Sequence, residues 1–338
     1  SNGHIYLYYV VDRHHLRTGG LASNGYNPNT NEYYAATIGR VTKYTTVKSG
    51  NTITADMASR KVLLGESAST GVPILYESHG TGGLVFAQDG TLLLASGDGA
   101  SYTDPDGGNL GYTYYAQALA DGIITPAENV GAFRSQLLNS HSGKLLRINP
   151  ENGDGVSSNP FYDPAAPRSA KSRVWALGFR NPFRVSVKPG TGSTNPSTGD
   201  IGEIFVGDVG WSTWEELNVV KAPGQNFGWP LYEGQTTEPS YTAMNTQNAE
   251  MPNPFGSCSG RPNLRFKDLL RQDNEAKDKR IYNPCNQSQL IGNHNRFIHA
   301  RPAIDWRHGM NQARVGRFDD NGQAISPTIG TAASEVAG

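Results

Sequence analysis

A histidine set among glycines, in Ser78-His79-Gly80-Thr81-Gly82-Gly83, is the first place where this chain could do chemistry. Imidazole titrates near neutral pH, which suits it to take a proton from a bound hydroxyl. Glycines beside it let a ligand approach the backbone. The same residues also read as a surface turn, and no strand–GxGxxG–helix unit surrounds them to suggest dinucleotide binding. A second place is Gly178-Phe179-Arg180-Asn181-Pro182. The proline holds Asn181 in an extended or turn conformation. The planar fork of Arg180 can hold a developing oxyanion or a cofactor carboxylate, a salt bridge to a neighbouring strand being the plain alternative. A third is Gly207-Asp208-Val209-Gly210-Trp211, followed by Glu215-Glu216-Leu217-Asn218. Turn carbonyls with carboxylates nearby can ligate calcium, although Asp208 and Glu215 can equally close turns and pair with loop amides. Asp98, Asp208 and Glu215 are also the candidates for a glycoside hydrolase, which needs two carboxylates about 5–10 Å apart. No motif links them.

These residues need elements to position them. The clearest is Gly83 to Asp98, two apolar runs around Asp89-Gly90, the strongest short-range hairpin signal because the turn requires positive φ. Gly202 to Gly210 echoes its second half, and both runs end in Gly-Asp. Gly143 to Ile148, Val174 to Gly178 and Pro182 to Val187 read as further strands. Helical signal is thin: Tyr114 to Ile124 predicts one or two turns, and Ala127 to Leu138 another amphipathic piece. Residues 238–298 lack a strand rhythm and too few are large and apolar for a core of their own, so they read as a loop insertion within one domain spanning 1–338. The chain has 338 residues with 40 Gly and 20 Pro, so turns must take a large share of it, as in folds made of many short strands.

Net charge is -1, and the most basic stretch, Arg261 to Arg280, interleaves acids with its lysines and arginines, which excludes a phosphate-binding stripe and makes nucleic acid a poor partner. No apolar run approaches the roughly 20 residues of a membrane span. Cys258 and Cys285 bracket a largely polar insertion of 26 residues that would gain from a covalent clip, and such clips persist in oxidising compartments; two unpaired cytosolic thiols are the alternative. Their spacing does not suit zinc. The expected location is secreted or periplasmic.

Taken in order, these segments resemble the soluble glucose/sorbosone dehydrogenase-like quinoproteins. The resemblance is carried by His79 with the Leu84 to Asp98 hairpin, Gly143 to Ile148, Asn159-Pro160-Phe161, Gly178 to Pro182, Gly207 to Gly210, Glu215 to Asn218 and Asn226 to Gly234. It runs from about Tyr6 to Gly234, with weaker agreement over Arg301 to Gly338. It implies an all-β, six-bladed propeller of four-stranded antiparallel sheets, of which this chain would cover about five blades and be incomplete at both ends. It also implies the quinone PQQ and a calcium ion in a cleft, and an external electron acceptor. On this resemblance His79 is the base that takes a sugar hydroxyl proton, Arg180 stabilises charge on the quinone, Asn181 contacts the cofactor, and the Gly210 and Trp211 carbonyls bind calcium. Departures are Ser78 before the histidine, Trp211 in place of a smaller residue, and no counterpart of the family's C-terminal basic residues that hold PQQ. A second chain or a further segment would then close the ring. A non-catalytic propeller that binds glycans or proteins is the alternative.

Overall fold

The Asp89-Gly90 turn forms as its residue types require. Gly90 sits at φ 78°, the Ala87 N–H donates to Thr91 O at 2.9 Å, and one Asp89 oxygen accepts from the N–H and hydroxyl of Thr91 at 2.9 and 2.6 Å. The structure is a computed structural model that describes residues 3–253, 260–272, 280–283, 285–295, 297–309, 313–315, 317–318, 324–325 and 328–329. The turn joins β5 (Thr81–Phe86) to β6 (Leu92–Ser96), and β7 (Lys144–Ile148) and β8 (Val174–Leu177) follow in chain order to complete a four-stranded antiparallel sheet. Before it lies a sheet of β1 (His4–Val10), β2 (Thr37–Ser49), β3 (Thr52–Leu64) and β4 (Val72–Ile74), in which β2 pairs with all three others. After it come β9 (Pro182–Val187), β10 (Ile204–Asp208) and β11 (Trp214–Val220), extended by strands Ile304–Arg307, Ala313–Val315 and Thr328–Ile329.

Side-chain alternation explains why β6 and β8 and the centre of β7 read as apolar runs. Leu92, Leu94, Leu146 and Ile148 pack with Val41, Leu63 and Val72 of the preceding sheet. Leu93, Leu145 and Ala176 pack with Ile204, Val206 and Val220 of the following one. Successive side chains point to opposite faces, and both faces are covered, so most positions are apolar, and the buried Ser96, Lys144 and Arg147 all have hydrogen-bond partners.

The first strands of the three sheets draw together. A Cβ on Gly82 would lie 2.4 Å from Pro182 O, and one on Gly83 3.1 Å from Val185 N, so β5 abuts β9 backbone to backbone. On its other side Phe86 meets Tyr6 of β1 edge-on, ring centroids 5.2 Å apart. The fold is all-β, with antiparallel blade-like sheets radiating from this line of first strands. Helices are few: α1 (Arg13–Thr18) and α2 (Tyr115–Ala120) are the longest among the described residues. Where the sequence predicts an amphipathic helix over Ala127 to Leu138, the chain makes two 3-10 turns, Pro126–Glu128 and Gly131–Gln136. Gly131 at φ 57° interrupts the helical path between them.

Residues 238–298 lie between β11 and its partner Ile304–Arg307. Contrary to the expected absence of strand rhythm, they carry short strand pairs, among them Gln247–Pro252 with Asn263–Arg265 and a parallel pair of Leu270–Arg271 with Phe297–Ile298. These four segments are two to six residues long, too short to show a period in sequence, whereas Asn286–Asn295, paired with Arg280–Asn283, is longer but largely polar.

Candidate active site

His79 ends the loop from β4 to β5 with its backbone at φ 54°, a region non-glycine residues enter sparingly. The end of β6 is shaped to receive it. A Cβ on Gly97 would stand 2.2 Å from His79 O, and the Gly99 N–H donates to that oxygen at 3.0 Å. Glycine at 97 is therefore a requirement of close approach. Between the two glycines, Asp98 turns its carboxylate to the ring. Its Oδ1 meets His79 Nδ1 at 3.0 Å and accepts from the Ala100 N–H at 2.9 Å, while Oδ2 accepts from the Trp229 indole N–H at 2.7 Å. Burial raises the Asp98 pKa, but His79, Arg180 and the Ala100 N–H together hold it below the ordinary carboxylate range. Burial, aided by the Arg180 charge, pushes the His79 imidazole below its usual value against the pull of Asp98. The ring is thus neutral at neutral pH. With Nδ1–H donating to the carboxylate, Nε2 is left as the basic nitrogen.

Arg180 follows β8 and is tied to the same centre, since its carbonyl accepts from the Asp98 N–H at 2.8 Å. Asp208, at the end of β10, accepts from the backbone N–H groups of Arg180 and Asn181 at 3.0 and 2.6 Å. Burial pushes the Asp208 carboxyl up to about 7 despite those donors. The Arg180 guanidinium lies 5.5 Å over the Trp229 ring and donates to Gly210 O at 2.6 Å and Val209 O at 3.1 Å. Its Nε is buried without a hydrogen-bond partner. The structure thus brings His79 and Arg180 together through Asp98, and holds Asn181 beside Arg180 through Asp208.

An orphaned buried guanidinium N–H is what an anionic quinone would satisfy, so the residues present fit PQQ. At Gly210 they do not offer calcium a free carbonyl. The Gly210 carbonyl already accepts from Arg180, and a divalent cation on that oxygen would stand against a guanidinium. Beside it the Trp211 N–H donates to Glu233 at 2.6 Å and its indole to Tyr102 O at 2.8 Å. One Glu233 oxygen accepts from the N–H groups of Trp211, Ser212, Thr213 and Trp214 and so shapes that turn.

The hydrolase reading finds no support, because each candidate carboxylate is committed elsewhere. Asp98 serves His79, Asp208 the Arg180-Asn181 backbone, and Glu215 bonds the Gly210 N–H at 3.0 Å and His308 at 2.6 Å. Cys258 lies outside the described residues. Sequence reasoning missed Asp98 as the partner of His79, and missed Trp229 and Glu233 as supports. The signal available was the Gly-Asp ending shared by β6 and β10, where both aspartates prove to anchor backbone or ring at the same centre.

His79 lines a cavity of about 510 Å³ together with Tyr33, Tyr34, Tyr76, Glu77 and Tyr114. A surface hollow with convergent polar groups and a perturbed histidine is the expected setting for a binding or reaction site.

The family model of glucose/sorbosone dehydrogenases matches residues 2–259. The HIPL1 protein of Arabidopsis thaliana is 28% identical over 174 residues, and the HIPL2 protein of the same plant 28% over 172. These matches take in 47% and 46% of this chain and 19% of each relative, so the chain spans a small part of their length. Among solved structures, the PQQ-bound aldose sugar dehydrogenase of Streptomyces coelicolor aligns over 98% of this chain and 63% of its own, at 17% identity and a TM-score of 0.41.

Proposed function

We propose that this chain, which belongs to the glucose/sorbosone dehydrogenase family, oxidises an aldose or related sugar at the cavity beside His79, with PQQ as its cofactor. The observation that carries the reading is the His79–Asp98 pair at the cavity wall. Nε2 of the neutral ring accepts the sugar hydroxyl proton, and Asp98 stabilises the imidazolium that forms. When bound, PQQ supplies the acceptor for the hydride that leaves the same sugar carbon, whose C–O bond becomes a carbonyl. Arg180 would hold the quinone through its unsatisfied Nε–H, and the electrons would pass on to an external acceptor.

A base must be neutral to act, so activity falls as pH drops through its pKa. Because burial lowers that of His79, kcat/KM of the PQQ-loaded chain on an aldose panel is expected to stay level from neutral pH until below 6.5 and only then decline. An acid limb centred above 6.5, or no turnover of any aldose, would count against the assignment.

A non-catalytic, glycan- or protein-binding role is the second reading. It draws support from Arg180 being spent in part on the Val209 and Gly210 carbonyls.

The same proposal places the protein in a secreted or periplasmic compartment, with Cys258 and Cys285 bridged to close the segment between them. A thiol reagent is then expected to label neither cysteine until a reductant is added. Labelling of both in unreduced, folded protein would overturn the bridge.

A further inference from the structure

Among the described residues, three non-glycine residues hold positive φ, and two of them, Tyr34 at 53° and His79 at 54°, line the same cavity. Backbone of this kind is uncommon for an aromatic residue and gathers at ligand clamps. Tyr33 and Tyr34 stand 75% and 74% exposed. Below them Tyr76 packs on the rings of Tyr102 and Tyr114, centroids 5.1 and 6.1 Å away. No lysine or arginine lines the cavity, whereas Asp12, Glu32 and Glu77 do. Two of those acids have partners: Asp12 accepts from the His15 and Glu32 N–H groups, and Glu32 pairs with Arg13 at 3.2 Å. Glu77 is exposed, and its charge is the foremost reason the Tyr102 phenol is held above its usual pKa. A row of π faces beside an acid is the setting in which ammonium groups are recognised.

We propose that this cavity binds an oligosaccharide bearing a protonated amino group, with sugar rings stacked on Tyr33 and Tyr34, the ammonium at Glu77 and a hydroxyl toward His79. The inference rests on the dehydrogenase reading only for the role of His79, and names the substrate class that such an enzyme would prefer.

The test measures binding rather than turnover, on the full chain without PQQ, under mildly acidic conditions that keep the amine charged. Calorimetric titrations would compare a glucosamine tetrasaccharide, its N-acetylated form and a galacturonate tetrasaccharide. The amino form is expected to bind about 3–10-fold more tightly than the acetylated one, and the uronate most weakly. Glu77→Gln should remove the preference for the amine, and Tyr34→Ala should weaken all binding, with both variants checked for folding by circular dichroism. Equal affinity for the three sugars, an undiminished preference in Glu77→Gln, or no binding at all would each overturn the proposal. Selective binding by a chain that oxidises no sugar would sink the dehydrogenase reading and leave this site standing.

Discussion

Asp98→Asn is expected to lower sugar-dependent turnover by about 10²–10⁴-fold, and His79→Ala by at least as much, the range that a positioned acid–base group supplies. In the proposed reaction His79 touches the reacting hydroxyl, and Asp98 acts through it, as a positioning residue. An amide at 98 can present its NH₂ to Nδ1, which would turn the ring to the tautomer whose Nε2 carries the proton and cannot accept another. Asp98 also opposes the burial that depresses the His79 pKa. Its loss should therefore move whatever acid limb survives to lower pH, a shift that mere loosening of the site would not produce. Affinity for PQQ should change little in His79→Ala, since Arg180 is held from the other side by Asp208 and the Gly210 carbonyl. An Asp98→Asn enzyme within threefold of the parent would contradict the role given to this pair.

Arg147→Met is expected to destabilise the fold by about 3–5 kcal/mol, the loss typical when one partner of a buried ion pair is removed. Arg147 on β7 and Asp89 in the β5–β6 turn have fully buried side chains, joined at 2.5 Å. The guanidinium also donates to Thr91, Ser158, Asn159 and the Pro196 carbonyl, and lies 5.0 Å over the Trp175 ring. Removing it leaves a buried carboxylate uncompensated and three loops without their common donor. The double variant Arg147→Met/Asp89→Leu should recover part of the loss, because no charge then remains buried. Urea unfolding of the three proteins checks both statements, and a loss below about 1 kcal/mol in the single variant would show that the pair is not needed.

How far the sequence was legible follows from the range of each interaction. The β5–β6 turn, β9 with its proline and the ends of β7 and β8 are set by neighbours in sequence, and the chain adopts them where they were expected. The long β2–β3 hairpin was not anticipated. Its tip is solvent-exposed and rich in Thr, Lys and Ser, so it lacks the apolar alternation of a packed strand. At the site, His79 and Arg180 stood out through their glycine and proline surroundings. The bond from Asp98 to His79 spans 19 residues and that from Trp229 to Asp98 spans 131, and no local pattern reports such contacts. The engagement of the Gly210 carbonyl was illegible for a related reason. Which way a carbonyl points, and that the Arg180 guanidinium would occupy the Gly210 oxygen, depends on loops brought together by the sheets.

The central claim is that His79, poised by Asp98, takes the proton from a sugar whose hydride passes to a quinone held at Arg180. The most direct test is to titrate the full chain with PQQ, then follow the quinone absorbance as aldoses are added, for the parent protein and for His79→Ala side by side. The account predicts that both proteins bind PQQ and that only the parent shows sugar-dependent reduction. Reduction at an undiminished rate in His79→Ala, or no binding of PQQ by the parent, would contradict it.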